Sequence, residues 1–199
     1  MVTLMFYDGT VDAESDVLRT GGVPLAPADF QWPTCAECEG ALQFIAHLPI
    51  EAGVVSVFMC QNDPGLCDEW EAFKGGNQAY LFTDRNLAPA TVPNEGMTQL
   101  GAVSRLRPEA IDVDEYFEAL SAWEGTGRER TVLGQLGGKP AWIQADQTPS
   151  CPGCGTAMTL TAQLEEGYED DTSGNFGGGG LAYIFHCVDC VKAAFLWQQ

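Results

Sequence analysis

Basic residues are scarce in this chain. Its 199 residues include 9 lysines and arginines against 28 aspartates and glutamates, which gives a formal net charge of −19. A protein that binds nucleic acid by neutralising phosphates, or one that docks on an anionic membrane, needs the opposite balance. We therefore expect no nucleic-acid partner and no membrane partner, and we expect a basic protein or peptide as the partner instead.

Long apolar runs and histidines are scarce as well. No stretch approaches the roughly 20 apolar residues that span a bilayer, and the first residues lack the basic and apolar regions of a signal peptide. The protein is therefore predicted to be cytoplasmic, where its eight cysteines would stay reduced. The chain has only two histidines, His47 and His186, and no serine lies in a nucleophile-elbow sequence. We do not expect an enzyme.

The eight cysteines fall into two sets of four. Each set opens with a C-x2-C pair; the first continues with C-x6-C and the second with another C-x2-C. Four thiolates suit the tetrahedral coordination of Zn²⁺ and leave no open position, so the spacing predicts two structural zinc sites. The predicted ligands are Cys35, Cys38, Cys60 and Cys67 in the first site, and Cys151, Cys154, Cys187 and Cys190 in the second.

Three alternatives stay open for these cysteines. They are buried thiols without a metal, a thioredoxin-like redox pair, and a site in which His186 replaces a cysteine as ligand. The redox pair is disfavoured because the turn from Cys151 to Cys154 leads into a strand-like segment. A redox pair needs a helix N-terminus beneath its first cysteine to lower the pKa of that thiol.

An internal repeat relates the two sets. Shifting the sequence by 116 residues aligns the Gly-Gly-x-Pro turn at residues 21–24 with that at residues 137–140, and aligns the first C-x2-C pair with its counterpart in the second set. After an insertion of 11 residues in the second copy, Cys60 aligns with Cys187. Two copies of one structural unit are the simplest account.

The pattern predicts an α+β fold that is mostly β, with two pseudo-repeated β-rich lobes, each clipped by a four-cysteine zinc knuckle, and one amphipathic helix between them. We treat residues 1–199 as a single domain. Its predicted parts are a first lobe at residues 18–83, a connecting segment at residues 84–130 and a second lobe at residues 131–199.

Strands and one helix are expected within these parts. In the connecting segment, residues 112–124 are predicted to be helical because apolar residues recur at spacings of three and four behind an aspartate cap. The predicted strands are residues 42–48 and 54–59 in the first lobe, and residues 158–164 and 181–186 in the second.

A partner surface is predicted from aromatic and acidic residues. Two tryptophans follow the Gly-Gly-x-Pro turns, where they could line a peptide groove beside a glutamine. Carboxylates are concentrated in the insertion at residues 165–171 and also from Glu109 to Glu118. The glycine run at residues 177–180 is not expected to bind phosphate, because no Gly-Lys-Ser/Thr follows it. The predicted partner-binding residues are Trp32, Trp142, Gln144, Glu165, Glu166, Glu169, Asp170 and Asp171.

Several motifs resemble those of the YwqG-like bacterial proteins, a domain of unknown function. They lie at residues 21–24, 29–33, 35–38 and 42–48 in the first half, and at residues 137–144, 176–179, 182–187 and 195–198 in the second. The cysteine-bearing form also resembles the eukaryotic programmed cell death protein 2 group. The resemblance implies a β-rich fold with two related halves and, for the eukaryotic relatives, a role as a chaperone for a newly made basic ribosomal protein. His47 departs from the pattern, which has a glutamine there, as at Gln163.

We therefore predict a zinc-stabilised, acidic protein-binding module that shields or chaperones a basic partner. The prediction combines the negative net charge, the two expected zinc sites and the resemblance to the YwqG-like proteins. An immunity or inhibitor protein against a basic toxin would use the same surface and is the first alternative. An uncharacterised enzyme is the second, and a pocket holding His47 or several converging carboxylates would favour it.

Overall fold

Strands make up most of the regular structure. The computed structural model of the protein describes residues 1–84, 86–127, 131–167 and 174–199. Within these ranges it has one helix, α1 (Tyr116–Glu124), and twelve strands. The strands are β1 (Val2–Thr10), β2 (Arg19–Thr20), β3 (Leu25–Ala26), β4 (Gln43–Ile50), β5 (Gly53–Met59), β6 (Asn77–Phe82), β7 (Ala88–Pro89), β8 (Ser104–Ile111), β9 (Val132–Leu136), β10 (Thr159–Glu165), β11 (Leu181–Cys187) and β12 (Lys192–Gln198).

Ten of the strands form one antiparallel sheet. Their order is β12-β11-β10-β9-β1-β8-β2-β4-β5-β6, while β3 and β7 form a separate two-stranded sheet. The order is symmetric about the central pair β1 and β8, with strands of the first lobe on one side and strands of the second lobe on the other. The end strands β6 and β12 contact each other, so the sheet curls around a common interior. The two lobes are therefore halves of one sheet.

Backbone hydrogen bonds confirm the 116-residue repeat. The Gly21 N–H donates to the Ile45 carbonyl at 2.8 Å, and the Gly137 N–H donates to the Thr161 carbonyl at 2.8 Å. Both acceptors lie at a β-bulge, one in β4 and one in β10. Gly21 and Gly137 have φ angles of 74° and 58°, in the left-handed region that other residues rarely adopt. The first glycine of each Gly-Gly turn is thus bonded to the bulge of the neighbouring strand in the same way in both lobes.

A central core fills the interior of the curled sheet. It combines residues of both lobes with residues of the central strands, including Ala46 and Val57 from the first lobe, Ile184 and Phe195 from the second, and Met5 from β1. Three further apolar clusters pack on the outer face: one against α1 and one beneath each set of cysteines. Because β4, β5, β11 and β12 are covered on both faces, their sequences are continuously apolar and do not alternate.

The helix lies between the lobes in sequence, as predicted, but begins four residues later than residue 112. Strand β8 keeps pairing with β1 as far as Ile111, which holds the chain extended there. The residue before the helix is Glu115, whose side chain makes no capping hydrogen bond. This nine-residue helix, the one helix of the described residues, lacks the length and apolar character needed to cross a bilayer.

Candidate metal centres

The structure gathers the eight cysteines into the two predicted groups of four. Within each group the four sulfur atoms all lie within 4.8 Å of one another. All eight carry free thiols, so no disulfide competes for the sulfurs. Each group could offer four sulfur ligands to one metal ion, and the two groups are the ones expected from the spacing.

The first C-x2-C turn of each lobe is built by the same backbone hydrogen bonds. The Cys35 N–H donates to the Gly40 carbonyl at 2.8 Å, and the Cys151 N–H donates to the Thr156 carbonyl at the same distance. The residue after the second cysteine adopts a left-handed conformation in both lobes, with φ of 61° at Glu39 and 75° at Gly155. This reversal brings both sulfurs of the pair to one side of the turn.

The first centre is covered by protein. Cys35, Cys60 and Cys67 are at most 2% exposed, and only Cys38 is partly accessible. The Cys38 and Cys60 sulfurs lie 3.7 Å apart. The covering segment is the long connection from residue 61 to residue 76, which links β5 to β6 and contains no helix or strand.

Two side chains of this connection organise the first centre. The Asn62 amide donates towards the sulfurs of Cys60 at 3.5 Å and Cys38 at 3.8 Å. The buried Glu69 carboxylate accepts hydrogen bonds from the backbone N–H of Gly65 and, at 3.2 Å, from that of Cys67. Glu69 therefore closes the loop that returns Cys67 to the other three sulfurs. We did not predict this role; a carboxylate two residues after a ligand cysteine is the only sequence signal for it.

The second centre lies open to solvent on one side. Cys151 is buried, Cys187 and Cys190 are partly exposed, and Cys154 is exposed. The Cys154 and Cys187 sulfurs lie 3.8 Å apart. Only residues 188–191 separate β11 from β12, and the sheet register pairs Cys187 with Lys192 across this turn. A short turn cannot cover the site as the long connection of the first lobe does.

Hydrogen bonding and burial shift the thiol pKa values in opposite directions. The hydroxyl and backbone N–H of Thr156 lower the pKa of Cys154 to about 6. The neighbouring thiols Cys154 and Cys151 raise the pKa of Cys190 to about 12. Burial raises the pKa of Cys67 in the first centre. The pKa of Cys154 is thus lowered where the pKa values of Cys187 and Cys190 are raised.

His186 has a partner outside the sulfur cluster. Its Nδ1 lies 2.8 Å from the Thr161 hydroxyl, and burial lowers the pKa of its ring. The group of four sulfurs is complete without it.

The two predicted aromatic partner residues pack against the outer apolar clusters. Trp32 is half-buried, meets Phe58 edge-on at a centroid distance of 5.5 Å and donates its indole N–H to the Leu42 carbonyl at 2.8 Å. Trp142 is half-buried over Tyr183, at a centroid distance of 4.3 Å. Each ring therefore packs on the outer cluster beneath its own metal centre.

The predicted polar contacts are used within the chain. Gln144 is exposed and donates from its side-chain amide to the Gln199 carbonyl. Glu165 accepts a hydrogen bond from the Tyr116 hydroxyl at 2.6 Å. Glu166 accepts three backbone N–H bonds from the glycine-rich loop at residues 176–179, at 2.6 to 2.9 Å. Glu169, Asp170 and Asp171 lie outside the described residues.

His47, which stands where the YwqG-like pattern has a glutamine, belongs to a buried polar network that differs between the lobes. Arg19 is fully buried and donates to the carbonyls of Ser15 at 2.7 Å, Val23 at 2.6 Å and Gly21. Beside it, His47 Nε2 lies 3.1 Å from Asp16. Burial lowers the pKa of Arg19 to about 10 and, together with the charge of Arg19, lowers the pKa of His47.

Two glutamines occupy the equivalent positions of the second lobe. Gln135 aligns with Arg19 and Gln163 with His47 at the repeat distance of 116 residues. The Gln135 amide donates to the Lys139 carbonyl at 2.9 Å, the counterpart of the bond from Arg19 to Val23, and to the Gln163 side chain at 3.1 Å. A charged network in one lobe and a neutral one in the other therefore support the same Gly-Gly turn.

Part of the chain matches an uncharacterised protein. Over 69 residues, 35% of the chain, it is 42% identical to the uncharacterised protein YpfL of Salmonella typhimurium. That match covers 16% of YpfL, so the chain corresponds to a small part of that protein's length. No family model matches the chain.

Proposed function

We propose that both four-sulfur groups bind Zn²⁺ and that the two ions hold the knuckles to the sheet. Tetrahedral zinc with bonds of about 2.3 Å to sulfur places its ligand sulfurs about 3.8 Å apart. The separation of the Cys38 and Cys60 sulfurs, 3.7 Å, and that of the Cys154 and Cys187 sulfurs, 3.8 Å, fit this value. With four thiolate ligands the ion has no position for a substrate, so its proposed role is structural.

Metal analysis tests this step directly. We expect two zinc ions per chain after purification without added metal. A strong chelator should reduce the near-UV circular dichroism, because ligand binding contributes directly to folding in small metal-clipped units. A zinc-free protein with an unchanged near-UV spectrum would contradict the proposal.

We further propose that the protein is an acidic binding module for a basic protein partner. The observation that carries this proposal is a one-sided charge distribution around the first centre. From residue 20 to residue 73 there is no lysine or arginine. The same stretch holds eight carboxylates: Asp29, Glu37, Glu39, Glu51, Asp63, Asp68, Glu69 and Glu71.

Four of these carboxylates lie on the turns that carry the metal ligands. Glu37, Glu39, Asp63 and Asp68 are all exposed, and we call them the knuckle patch. Four thiolates on Zn²⁺ leave a net charge of −2 beneath them. Such a concentration of one sign attracts a basic partner and accelerates its association.

Other acidic residues are less available to a partner. Glu165 and Glu166 are hydrogen-bonded within the chain. In the second predicted acidic stretch, Glu109 pairs with Arg107 at 2.8 Å, and Asp114 pairs with the N-terminal amine at 2.8 Å. The knuckle patch, by contrast, keeps four exposed carboxylates in a stretch of sequence without lysine or arginine. The signal that would have found it in the sequence is the absence of lysine and arginine between residues 19 and 74.

The resemblance to the YwqG-like proteins and to the programmed cell death protein 2 group supports this proposal, because the eukaryotic group is associated with chaperoning a basic protein. The comparison with YpfL adds no function, since that protein is uncharacterised. The immunity or inhibitor alternative would use the same patch; it differs in that the captured partner would lose an activity on binding.

Affinity capture with matched variants tests the binding proposal. The full chain is immobilised and partners are recovered at low and high salt. Reversing three of the four charges of the knuckle patch with Glu37→Lys, Glu39→Lys and Asp68→Lys should lower the yield of a basic partner at least about tenfold. The control reverses Asp112, Glu115 and Glu118, an equal number of exposed carboxylates in and just before the first turn of α1.

The wild-type protein and the control should retain the basic partner at low salt and lose most of it at high salt, because exposed charges are screened. A partner that resists high salt, or equal losses in both variants, would contradict the assignment to the knuckle patch.

A further inference from the structure

Equivalent sulfur pairs in the two lobes have the same spacing and different access to solvent. Cys38 and Cys60 lie 3.7 Å apart, and their counterparts Cys154 and Cys187 lie 3.8 Å apart. In the first lobe Cys60 is fully buried and Cys38 partly exposed, whereas in the second lobe Cys154 is exposed and Cys187 partly exposed. A small reagent in solution therefore reaches one pair much more easily than the other.

The cause lies in the connection that follows the second strand of each lobe. In the first lobe, residues 61–76 fold over the sulfurs, and Asn62 donates towards two of them. In the second lobe, residues 188–191 form a short turn, and Cys154 stands at the surface between Gly153 and Gly155. Oxidation of cysteine depends on its access to the oxidant, and Cys154 and Cys187 are more exposed than their counterparts Cys38 and Cys60.

We propose that the second centre is a peroxide-sensitive metal switch, in which oxidation joins Cys154 to Cys187 and releases the ion while the first centre retains its own. The inference rests on the proposed metal binding and goes beyond it, because it assigns a regulatory reaction to one of two otherwise equivalent sites.

The reaction balances with a hydroperoxide as the oxidant. The Cys154 thiolate attacks a peroxide oxygen, the O–O bond breaks, and a sulfenic acid forms as hydroxide leaves. The Cys187 thiolate then attacks the Cys154 sulfur, forming the S–S bond and expelling a second hydroxide. With hydrogen peroxide, two protons convert the hydroxides into two water molecules. The two sulfurs lose two electrons in total and the peroxide gains them.

Loss of two ligands explains the release of the ion. Cys151 and Cys190 remain, and two thiolates hold zinc far less tightly than four. The surrounding fold is expected to survive, because the hairpin of β11 and β12 is held by its own strand register from Leu181–Gln198 to Cys187–Lys192. The switch therefore changes the second centre and leaves the rest of the fold in place.

The test uses the full chain loaded with zinc, hydrogen peroxide as the probe and a zinc-binding dye as the readout. The zinc content is measured before peroxide is added. If two zinc ions are bound, we expect one equivalent to be released at least about tenfold faster than the other. Equal release rates, or no release, would overturn the switch and leave metal binding intact. A chain with no zinc before oxidation would overturn the proposed metal binding itself.

Peptide mapping assigns the fast phase to a site without any substitution. Cleavage after Glu165 and Glu166 separates the peptide that carries Cys151 and Cys154 from the peptide that carries Cys187 and Cys190. We expect a disulfide joining Cys154 to Cys187 when one equivalent of zinc has been released, and unmodified cysteines in the first centre. A disulfide in the first centre, or overoxidised Cys154 without a disulfide, would overturn the proposal.

Two variants provide matched controls. Cys154→Ser should abolish the fast phase and leave one slowly released zinc ion. Asn62→Ala removes the amide that lies against Cys38 and Cys60 and should accelerate release from the first centre several-fold while leaving the second unchanged. Two results together would show that the switch is wrong: an unchanged slow phase of zinc release in Asn62→Ala, and an intact fast phase in Cys154→Ser. In that case the shielding of the first centre would not determine which zinc ion is released first.

Discussion

The two lobes place equivalent four-sulfur groups beside equivalent strand pairs, β4 and β5 in the first lobe and β10 and β11 in the second. The last cysteine of each group is nevertheless held differently. In the first lobe the last ligand, Cys67, lies in a connection with no regular structure, and the hydrogen bonds to Glu69 close that loop. In the second lobe the last ligand, Cys190, lies in a hairpin turn whose strands are already paired. A metal ion bound in the first lobe would therefore have more of the chain to organise, whereas one bound in the second lobe would be more accessible to solvent.

The largest difference is expected when one equivalent ligand is removed from each lobe. Cys35→Ser and Cys151→Ser remove cysteines that are both 1% exposed. We expect Cys35→Ser to lower the free energy of unfolding by more than about 4 kcal/mol, because residues 61–76 lose the contact that orders them. Cys151→Ser should cost about 1 to 3 kcal/mol less, because the hairpin turn persists.

Urea denaturation in the presence of zinc measures both losses, and hydrogen exchange shows where they occur. The amides of residues 61–76 should lose protection in Cys35→Ser, while those of β11 and β12 should keep it in Cys151→Ser. A larger loss from Cys151→Ser would mean that the open lobe depends more on its metal than the covered one.

A smaller difference is expected at the polar residues beneath the Gly-Gly turns. Arg19→Met leaves three backbone carbonyls without their donor, and we expect it to lower the free energy of unfolding by about 3 to 5 kcal/mol. Gln135→Met removes the donor of the neutral network, and the expected loss is about 1 to 2 kcal/mol. Thermal and urea unfolding of both variants provide the comparison. Equal losses would show that the charge of Arg19 adds nothing to the first turn.

The smallest effect is expected in the pH dependence of stability. Burial and the charge of Arg19 lower the pKa of His47 in the folded protein, while Asp16 partly opposes them. Below the unfolded pKa of about 6.5, the unfolded chain binds this proton first. The free energy of unfolding therefore falls as the pH decreases from about 6.5 towards the lower folded pKa.

His47→Gln installs the residue of the second lobe and removes this proton. Compared with the wild type, the variant should lose less stability between pH 7 and pH 5, and the slopes should differ by less than about 1.4 kcal/mol per pH unit, the limit for one proton. Any loss of metal at low pH affects both proteins alike. The difference between their slopes therefore reports the protonation of His47. A variant with the steeper slope would mean that His47 is protonated more readily in the folded state.

Much of the fold could be predicted where one short motif repeats. The C-x2-C pairs and the Gly-Gly-x-Pro turns recur at a fixed offset, and the structure gives them the same hydrogen bonds in both lobes. The strands between the cysteines were predicted to within two residues at each end. In contrast, β1 and β8 at the centre of the sheet were not predicted, because they belong to neither copy of the repeat and gain their place only by pairing with each other.

The start of the helix shows the same limit. The apolar spacing behind Asp112 indicates a helix from that residue, but the pairing of Ile111 with Val2 extends the strand and delays the helix to Tyr116. Helical periodicity is a local property, whereas strand pairing depends on a partner more than 100 residues away in the sequence. Val113 packs against the apolar cluster beside α1, although it lies before the helix begins. The apolar pattern therefore predicted its burial correctly but not its backbone conformation.

By itself, the sequence determined which residues could bind metal, how the two lobes correspond and how strongly the protein is charged. These properties depend on residue type and spacing, which a linear chain already contains. Only the tertiary structure decided that the lobes share one curled sheet, that Arg19 and Gln135 support equivalent turns, and that one sulfur group is covered while the other is open. The pairing of strands and the burial of the sulfur groups depend on which distant segments of the chain meet in space. The connection after β5 is long and the connection after β11 is short, so equivalent cysteines have different surroundings.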